Sequence, residues 1–401
     1  MAEYQFPIEF VWGSATASYQ IEGAANVDGR GESVWDRFSH TPGKVTNGDT
    51  GDVACDHYHR YAEDVGFMRE LKLDAYRFSI AWPRIIPDGD GAINQAGLGF
   101  YDRVVDALLE AGITPFVTLY HWDLPQALQE RQQGWLSRDI VEQFVHYADV
   151  VSRHLGDRVS YWTTFNEPRV FVDVGYAVGR HAPGLEDRPG AVQAAHHVLL
   201  AHGATVPVLR QNVGPDAQVG IVYSMIPVQV EAETSASLAM QQQTDAYINR
   251  WFVDPVLLGQ YPQELLDADE FPAFDIQDGD LDIIQAPIDF VGINYYSRMF
   301  IRMDEDNQPM PPHGFQNTCS DLELTAMGWE VFPQGLHLIL KQFHDRYPEM
   351  PVYITENGAA FDDTVDPDGH IHDARRVAYL REHFRMAWQA IQDGVPLRGY
   401  F

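Results

Sequence analysis

Lysine is close to missing from this chain: Lys44, Lys72 and Lys341 are the only ones, and 27 basic residues stand against 58 acidic ones for a formal net charge of −31. Such a surface repels phosphate backbones and anionic headgroups, which excludes nucleic acid and membrane surfaces as natural partners. It also suits high salt, where screening relieves self-repulsion. Cysteine is equally scarce. Cys55 and Cys319 cannot form a disulfide framework, have no metal-ligand spacing around them, and are expected to be buried free thiols. No segment approaches the ~20 apolar residues of a spanning helix. The opening MAEYQFPIEFVWGSA has no basic stretch leading into an apolar run, so a soluble, cytoplasmic protein is expected. Low-complexity linkers and sequence repeats are absent as well, which leaves no mark of a second domain.

What is present is apolar mass, 45% hydrophobic and 12% aromatic, enough for a large core. Short β-rich runs alternate with longer amphipathic ones, the signature of βα units around a parallel sheet. Strands are predicted near residues 10–13, 75–80, 115–119, 161–165, 219–223, 290–293 and 352–355. Helices are predicted near 57–72, 98–111, 139–155, 191–211, 235–258, 334–346 and 374–392. In the first of these, Tyr61, Val65, Met68 and Leu71 recur at steps of four and three, giving one face to pack on a sheet. The fold class expected is α/β, a (β/α)8 TIM barrel forming one catalytic domain over 1–401. Seven strands do not close an eight-stranded ring, and the sequence reads GVPLRGYF where the next should begin. The barrel is therefore expected to lack its eighth strand and last helix and to be C-terminally incomplete, leaving unpaired edges on the first and seventh strands.

Polar residues gather at the ends of the apolar strands, where an α/β barrel presents its site. The fourth strand runs into Asn166-Glu167-Pro168 and the seventh into Glu356-Asn357-Gly358. Two carboxylates on strands three places apart would face each other across the mouth. Cleaving a glycosidic bond needs that pair: a protonated acid at the leaving oxygen and a charged carboxylate at the anomeric carbon. Arg77, ending the second strand, is the candidate for keeping Glu356 ionised, with Tyr296 as a hydrogen-bond donor beside it. Gln20, His121, Asn166 and Asn294 can read hydroxyls, and Trp122 and Trp329 offer flat faces to a pyranose. A phosphate would call for a glycine-rich turn or converging basic residues, and neither is present.

The segments FVWGSATASYQIEG, YRFSIAWPRI, VTLYHWDLP, TFNEP, GINYY, MGWEV and YITENG resemble those of glycoside hydrolase family 1, the β-glucosidases and their relatives, from about Phe10 to Phe401. The resemblance implies a retaining, exo-acting β-glycosidase, most simply a β-glucosidase, with Glu167 as acid/base and Glu356 as nucleophile. It implies that Gln20, His121 and Asn166 bind the glycone. Asn294 and Tyr296 then sit beside the acid/base and the nucleophile, and Trp329 walls the aglycone side. Arg169 stands at that entrance where many members carry an aromatic. No cofactor and no metal is implied. The partners are β-glucosides or short β-linked oligosaccharides and water, with galactose, fucose or 6-phospho sugars left open as glycones, the last disfavoured by the acidic balance and the absence of a basic cluster. A homo-oligomer, or a separate chain supplying a C-terminal segment, is the remaining partner expectation. The family's usual C-terminal strand, glycone-binding loop and closing helix are expected to be absent.

Two other functions share these residues. A non-catalytic carbohydrate-binding scaffold would keep the aromatics and amides but break the carboxylate pair, which is intact. A transglycosylating enzyme would pass the sugar to an alcohol through the same two glutamates. Asp52, Asp56, His57 and His59 are read as the solvated start of a helix rather than metal ligands, and His196, His197 and His202 as structural. Trp35 is read as a loop-packing residue.

Overall fold

The computed structural model describes residues 4–304 and 322–401. Eight parallel strands close into a barrel in chain order: β1 Val11–Ala15, β2 Ala75–Ser79, β3 Thr114–Tyr120, β4 Tyr161–Asn166, β5 Gln218–Ser224, β6 Phe290–Asn294, β7 Val352–Glu356 and β8 Leu397–Tyr400. Each of the seven predicted strands is present within a residue or two. The central residues of β2, β4 and β6 are buried on both faces, as expected of parallel strands covered outside by helices, while those of β1 are only partly covered.

The expectation of a missing eighth strand and last helix is overturned. Strand β8 pairs with β1 through Val11–Gly399 and Trp12–Tyr400, and with β7 through Leu397–Val352, Gly399–Tyr353 and Tyr400–Ile354. Phe401 N donates to Ile354 O at 2.8 Å, so the edges expected to be open are paired. A C-terminal helix, Ala374–Gln392, precedes β8, and its Phe384 packs edge-on against Tyr400, with ring centroids 4.9 Å apart. The reading failed because Leu-Arg-Gly-Tyr is four residues long, begins after Pro396 and carries a bulge between Leu397 and Gly399. Those features read as a turn when only local sequence is considered.

Inside the barrel floor, Ala75, Phe116, Phe290, Tyr353 and Phe401 form a separate buried cluster. Phe116 stacks on Tyr161 at 4.0 Å and meets Phe401 at 4.8 Å. Such bulk fits because neighbouring strand positions carry no side chain: a Cβ on Gly13 would lie 2.4 Å from the Phe401 ring, and one on Gly220 would lie 2.8 Å from the Phe290 ring. The interior is a packed core, not a pore.

The helices follow the predicted spans closely, as with His57–Glu70, Ile140–Leu155 and Pro333–Arg346. Of the first helix's apolar face, Val65 and Met68 are buried, but Leu71 lies beyond the helix end and is exposed. The stretch predicted as one helix over 235–258 breaks into Ser235–Asp245, a π-helical turn and Val253–Leu258. A small parallel pair, Val228–Val230 with Met299–Ile301, lies outside the barrel. Among the described residues no helix is long and apolar enough to cross a membrane. Cys55 is exposed rather than buried, because it lies in the turn before the first long helix; Cys319 lies outside the described residues.

Candidate active site

Strands β4, β6 and β7 end at Asn166, Asn294 and Glu356, while Arg77 lies on β2, and these side chains meet in one bonded net. Arg77 is 1% exposed and spends its donors on four acceptors. Nη1 donates to Glu356 Oε1 at 2.7 Å and to the Thr355 carbonyl at 3.3 Å, Nη2 to Asn166 Oδ1 at 2.6 Å, and Nε to Thr118 Oγ1 at 3.1 Å. Asn294 Nδ2 donates to Asn166 Oδ1 at 3.1 Å and to Glu167 Oε1 at 2.7 Å, while its own Oδ1 accepts from Thr355 Oγ1 at 2.7 Å. The two glutamates are therefore joined through Asn294, Asn166 and Arg77.

The net treats them oppositely. Burial and the charge of Glu356 push the Glu167 carboxyl up to about 7, against a neutral amide donor and more distant arginines. Burial also works against the charge on Glu356, but Arg77, then His121 and the Tyr296 hydroxyl, bring it below the ordinary carboxylate range. Tyr296 donates to Glu356 Oε2 at 2.7 Å. Each oxygen of Glu356 thus has a donor. Glu167 begins a short helix, Pro168–Val172, in the left-handed region at φ 47°, which turns the chain sharply out of β4.

The amides also fix the neighbouring imidazole and indole. Because Asn166 Oδ1 accepts from Arg77, its Nδ2 faces His121 Nε2 at 3.0 Å and must donate to it. His121 then carries its proton on Nδ1, which is buried with no protein acceptor among the described residues. Burial pushes this imidazole down to about 4, so it is a neutral donor near neutral pH. Trp122, at φ 79°, donates from Nε1 to the Asn166 carbonyl at 2.8 Å.

A cleft of about 450 Å³ opens beside these groups, lined among others by Gln20, Trp35, His121, Trp122 and His181. Gln20 is exposed on the short helix Ser18–Ile21. Neither carboxylate lines the cleft; both connect to it through Asn166. Trp329 lies 5.6 Å from the ring of Tyr296, whose hydroxyl bonds the Glu356 oxygen that Arg77 leaves free. Sequence reasoning missed His181, whose ring lies 5.6 Å from Trp122 and 5.4 Å from Trp35. Trp35 lies on a short helix, Val34–Ser39, rather than in a loop; it packs edge-on against Phe38 and also lines the cleft. Arg169 turns to Asp173 at 3.7 Å and is largely covered. His57 and His59 pair with Asp64 and Asp56 at 2.6 Å, and His196 sits between Tyr261 and Asp280, remote from the net.

A closed parallel barrel with two electrostatically separated carboxyls at its strand ends defines a class, the glycoside-cleaving (β/α)8 enzymes. The model of glycosyl hydrolase family 1 matches residues 2–401, and the chain belongs to that family. Beta-glucosidase A of Thermotoga maritima is 49% identical over 401 residues, covering 99% of this chain and 88% of the relative. A bifunctional beta-D-glucosidase/beta-D-fucosidase of Bifidobacterium breve is 43% identical over 417 residues, with the same two coverages, 99% and 88%. Among solved structures, a beta-glucosidase from Thermotoga maritima in complex with glucoimidazole superposes with a TM-score of 0.94 at 48% identity, covering 100% of this chain and 89% of that one.

Proposed function

We propose that this chain is a retaining, exo-acting β-glucosidase that releases terminal β-D-glucosyl residues by double displacement, with residues 1–401 acting as one catalytic barrel domain. The observation that carries the reading is the opposite treatment of the two carboxyls. Glu356, bonded to Arg77 and Tyr296, is the nucleophile that attacks the anomeric carbon. Glu167, held up to about 7, delivers its proton to the leaving oxygen and then takes one from water to release the sugar with its configuration kept. Arg77 and Tyr296 keep Glu356 charged, and Asn294 orients Glu167. Gln20, His121, Trp122 and Asn166 read the glycone, and Trp329 faces the aglycone. β-Glucosides or short β-linked oligosaccharides and water are the substrates, in keeping with the glucosidase names of the relatives.

The cytoplasm is the compartment this reading favours, supported by an exposed free thiol at Cys55, which suits a reducing environment. The function is tested with an aryl β-glucoside beside the β-galactoside and β-fucoside. Turnover of the glucoside that vanishes in Glu356→Gln is expected. Turnover that persists in Glu356→Gln would overturn the assignment of the nucleophile, and a folded protein turning over none of the three would overturn the activity.

A further inference from the structure

Three strand ends are tied together beneath the sugar-reading residues by a hydroxyl chain that plays no part in the carboxylate chemistry. Ser18 opens the short helix that carries Gln20; its N–H donates to Ser79 Oγ on β2 at 2.8 Å, and Ser79 Oγ lies 3.1 Å from Ser18 Oγ. Ser18 Oγ in turn donates to Asp123 Oδ2 at 2.6 Å. Asp123 directly follows His121 and Trp122, is fully buried, and has an Oδ1 with no protein donor among the described residues. A buried carboxyl with half its acceptors idle is costly, so it needs a reason beyond packing.

We infer that Asp123, acting through Ser18 and Ser79, is a positioning residue that holds Gln20 in register with the His121–Trp122 pair and so sets the affinity of the site for its glycone. The inference rests on the β-glucosidase reading. The chain is directional: Ser79 gives its proton to Ser18, Ser18 gives its own to Asp123, and the strongest final acceptor is a charged carboxylate.

Burial and the neighbouring Glu22 push Asp123 up to about 7. Glu22 is itself held by Arg84 and Tyr101, the charge of Arg30 favours an ionised Asp123, and the buried Tyr120 and Tyr147 hydroxyls feel its charge. The register is therefore tightest above neutral pH and loosens as Asp123 takes up a proton.

The test measures glucose binding by calorimetry and, separately, steady-state kinetics on an aryl β-glucoside. Ser18→Ala is expected to raise KM and the glucose Kd about tenfold with kcat within about threefold, and to lower the unfolding midpoint because the buried Asp123 loses its donor. In a Glu167→Gln background, which removes the acid/base titration, glucose should bind severalfold more tightly at pH 8 than at pH 6. Adding Asp123→Asn should flatten that dependence. His121 and His181, both near 4, titrate below this window, and His40, raised by its bonds to Asp36 and Asp52, is common to both backgrounds. An unchanged Kd in Ser18→Ala, or a pH dependence that survives Asp123→Asn, would overturn the inference. Wild-type protein that binds no glucose and turns over no glucoside would instead overturn the functional reading beneath it.

Discussion

Arg77 Nη1 lies 2.7 Å from Glu356 Oε1, and the same guanidinium holds Asn166 Oδ1 at 2.6 Å, so one buried cation both keeps Glu356 charged and orients the Asn166 amide. Replacing Arg77 by Met removes both actions. Glu356 would keep its burial without its counter-charge, and breaking a buried pair this way costs about 3–5 kcal/mol. We expect kcat/KM on an aryl β-glucoside to fall at least about 100-fold, since ~2.7 kcal/mol already equals that factor. The acid limb of the rate profile should move up in pH. A variant with the wild-type acid limb would show that Glu356 owes its charge to another group.

The pH dependence follows from the pair. Glu356, held below its ordinary value, sets the acid limb, and Glu167, raised to about 7, sets the alkaline one, so kcat/KM should be bell-shaped. The stability effects have opposite signs. Glu356, lowered in the folded state, contributes stability that is present above its unfolded value and lost as pH falls through the folded one. Glu167, raised in the folded state, makes stability decline as pH climbs from its unfolded value near 4.5 to about 7. Thermal unfolding of Glu167→Gln should therefore show a shallower decline between about pH 4.5 and 7 than wild type, the remainder coming from the buried Asp123, which is raised to about 7 as well.

Tyr296→Phe deletes only the hydroxyl that donates to Glu356 Oε2. A hydrogen bond to a charged group is worth about 1.5–3 kcal/mol. We expect kcat to drop roughly 10- to 100-fold, with the unfolding midpoint moved by only a few degrees. Equal losses from Tyr296→Phe and Tyr296→Ala would support this. A loss confined to the alanine variant would assign Tyr296 to packing, where it meets Trp329.

Beneath the site, Phe116 touches Tyr161, Tyr353 and Phe401. Phe116→Ala should cost about 3–5 kcal/mol of stability in denaturant unfolding. Gly13→Ala should cost about 1–3 kcal/mol, because its new Cβ would meet both the Phe401 ring and the Ala75 carbonyl.

Seven strands and most helix spans were legible because their periodicities are local. Strand β8 was not, since its four residues become a strand only when β1 and β7 stand on either side. The carboxylates, Arg77 and Tyr296 could be placed from strand ends and motif resemblance together. The tautomer of His121 could not, since it depends on which way Asn166 is turned by an arginine 89 positions earlier. The link from Ser18 to Asp123 spans 105 positions and has no motif. His181 was overlooked for the same reason: its loop gives no periodic signal, and only folding sets it between Trp35 and Trp122. Leu71 was misjudged because helical spacing continues past the residue where the helix ends.

In the barrel floor two large rings lie against empty places on an adjacent strand, Phe401 at Gly13 and Phe290 at Gly220. Volume there can be exchanged between partners but not added. Homologous exchange at these positions should thus travel in pairs, a bulkier residue at 13 only alongside a slimmer one at 401, and libraries that vary the strands singly will discard almost every combination the barrel could accept.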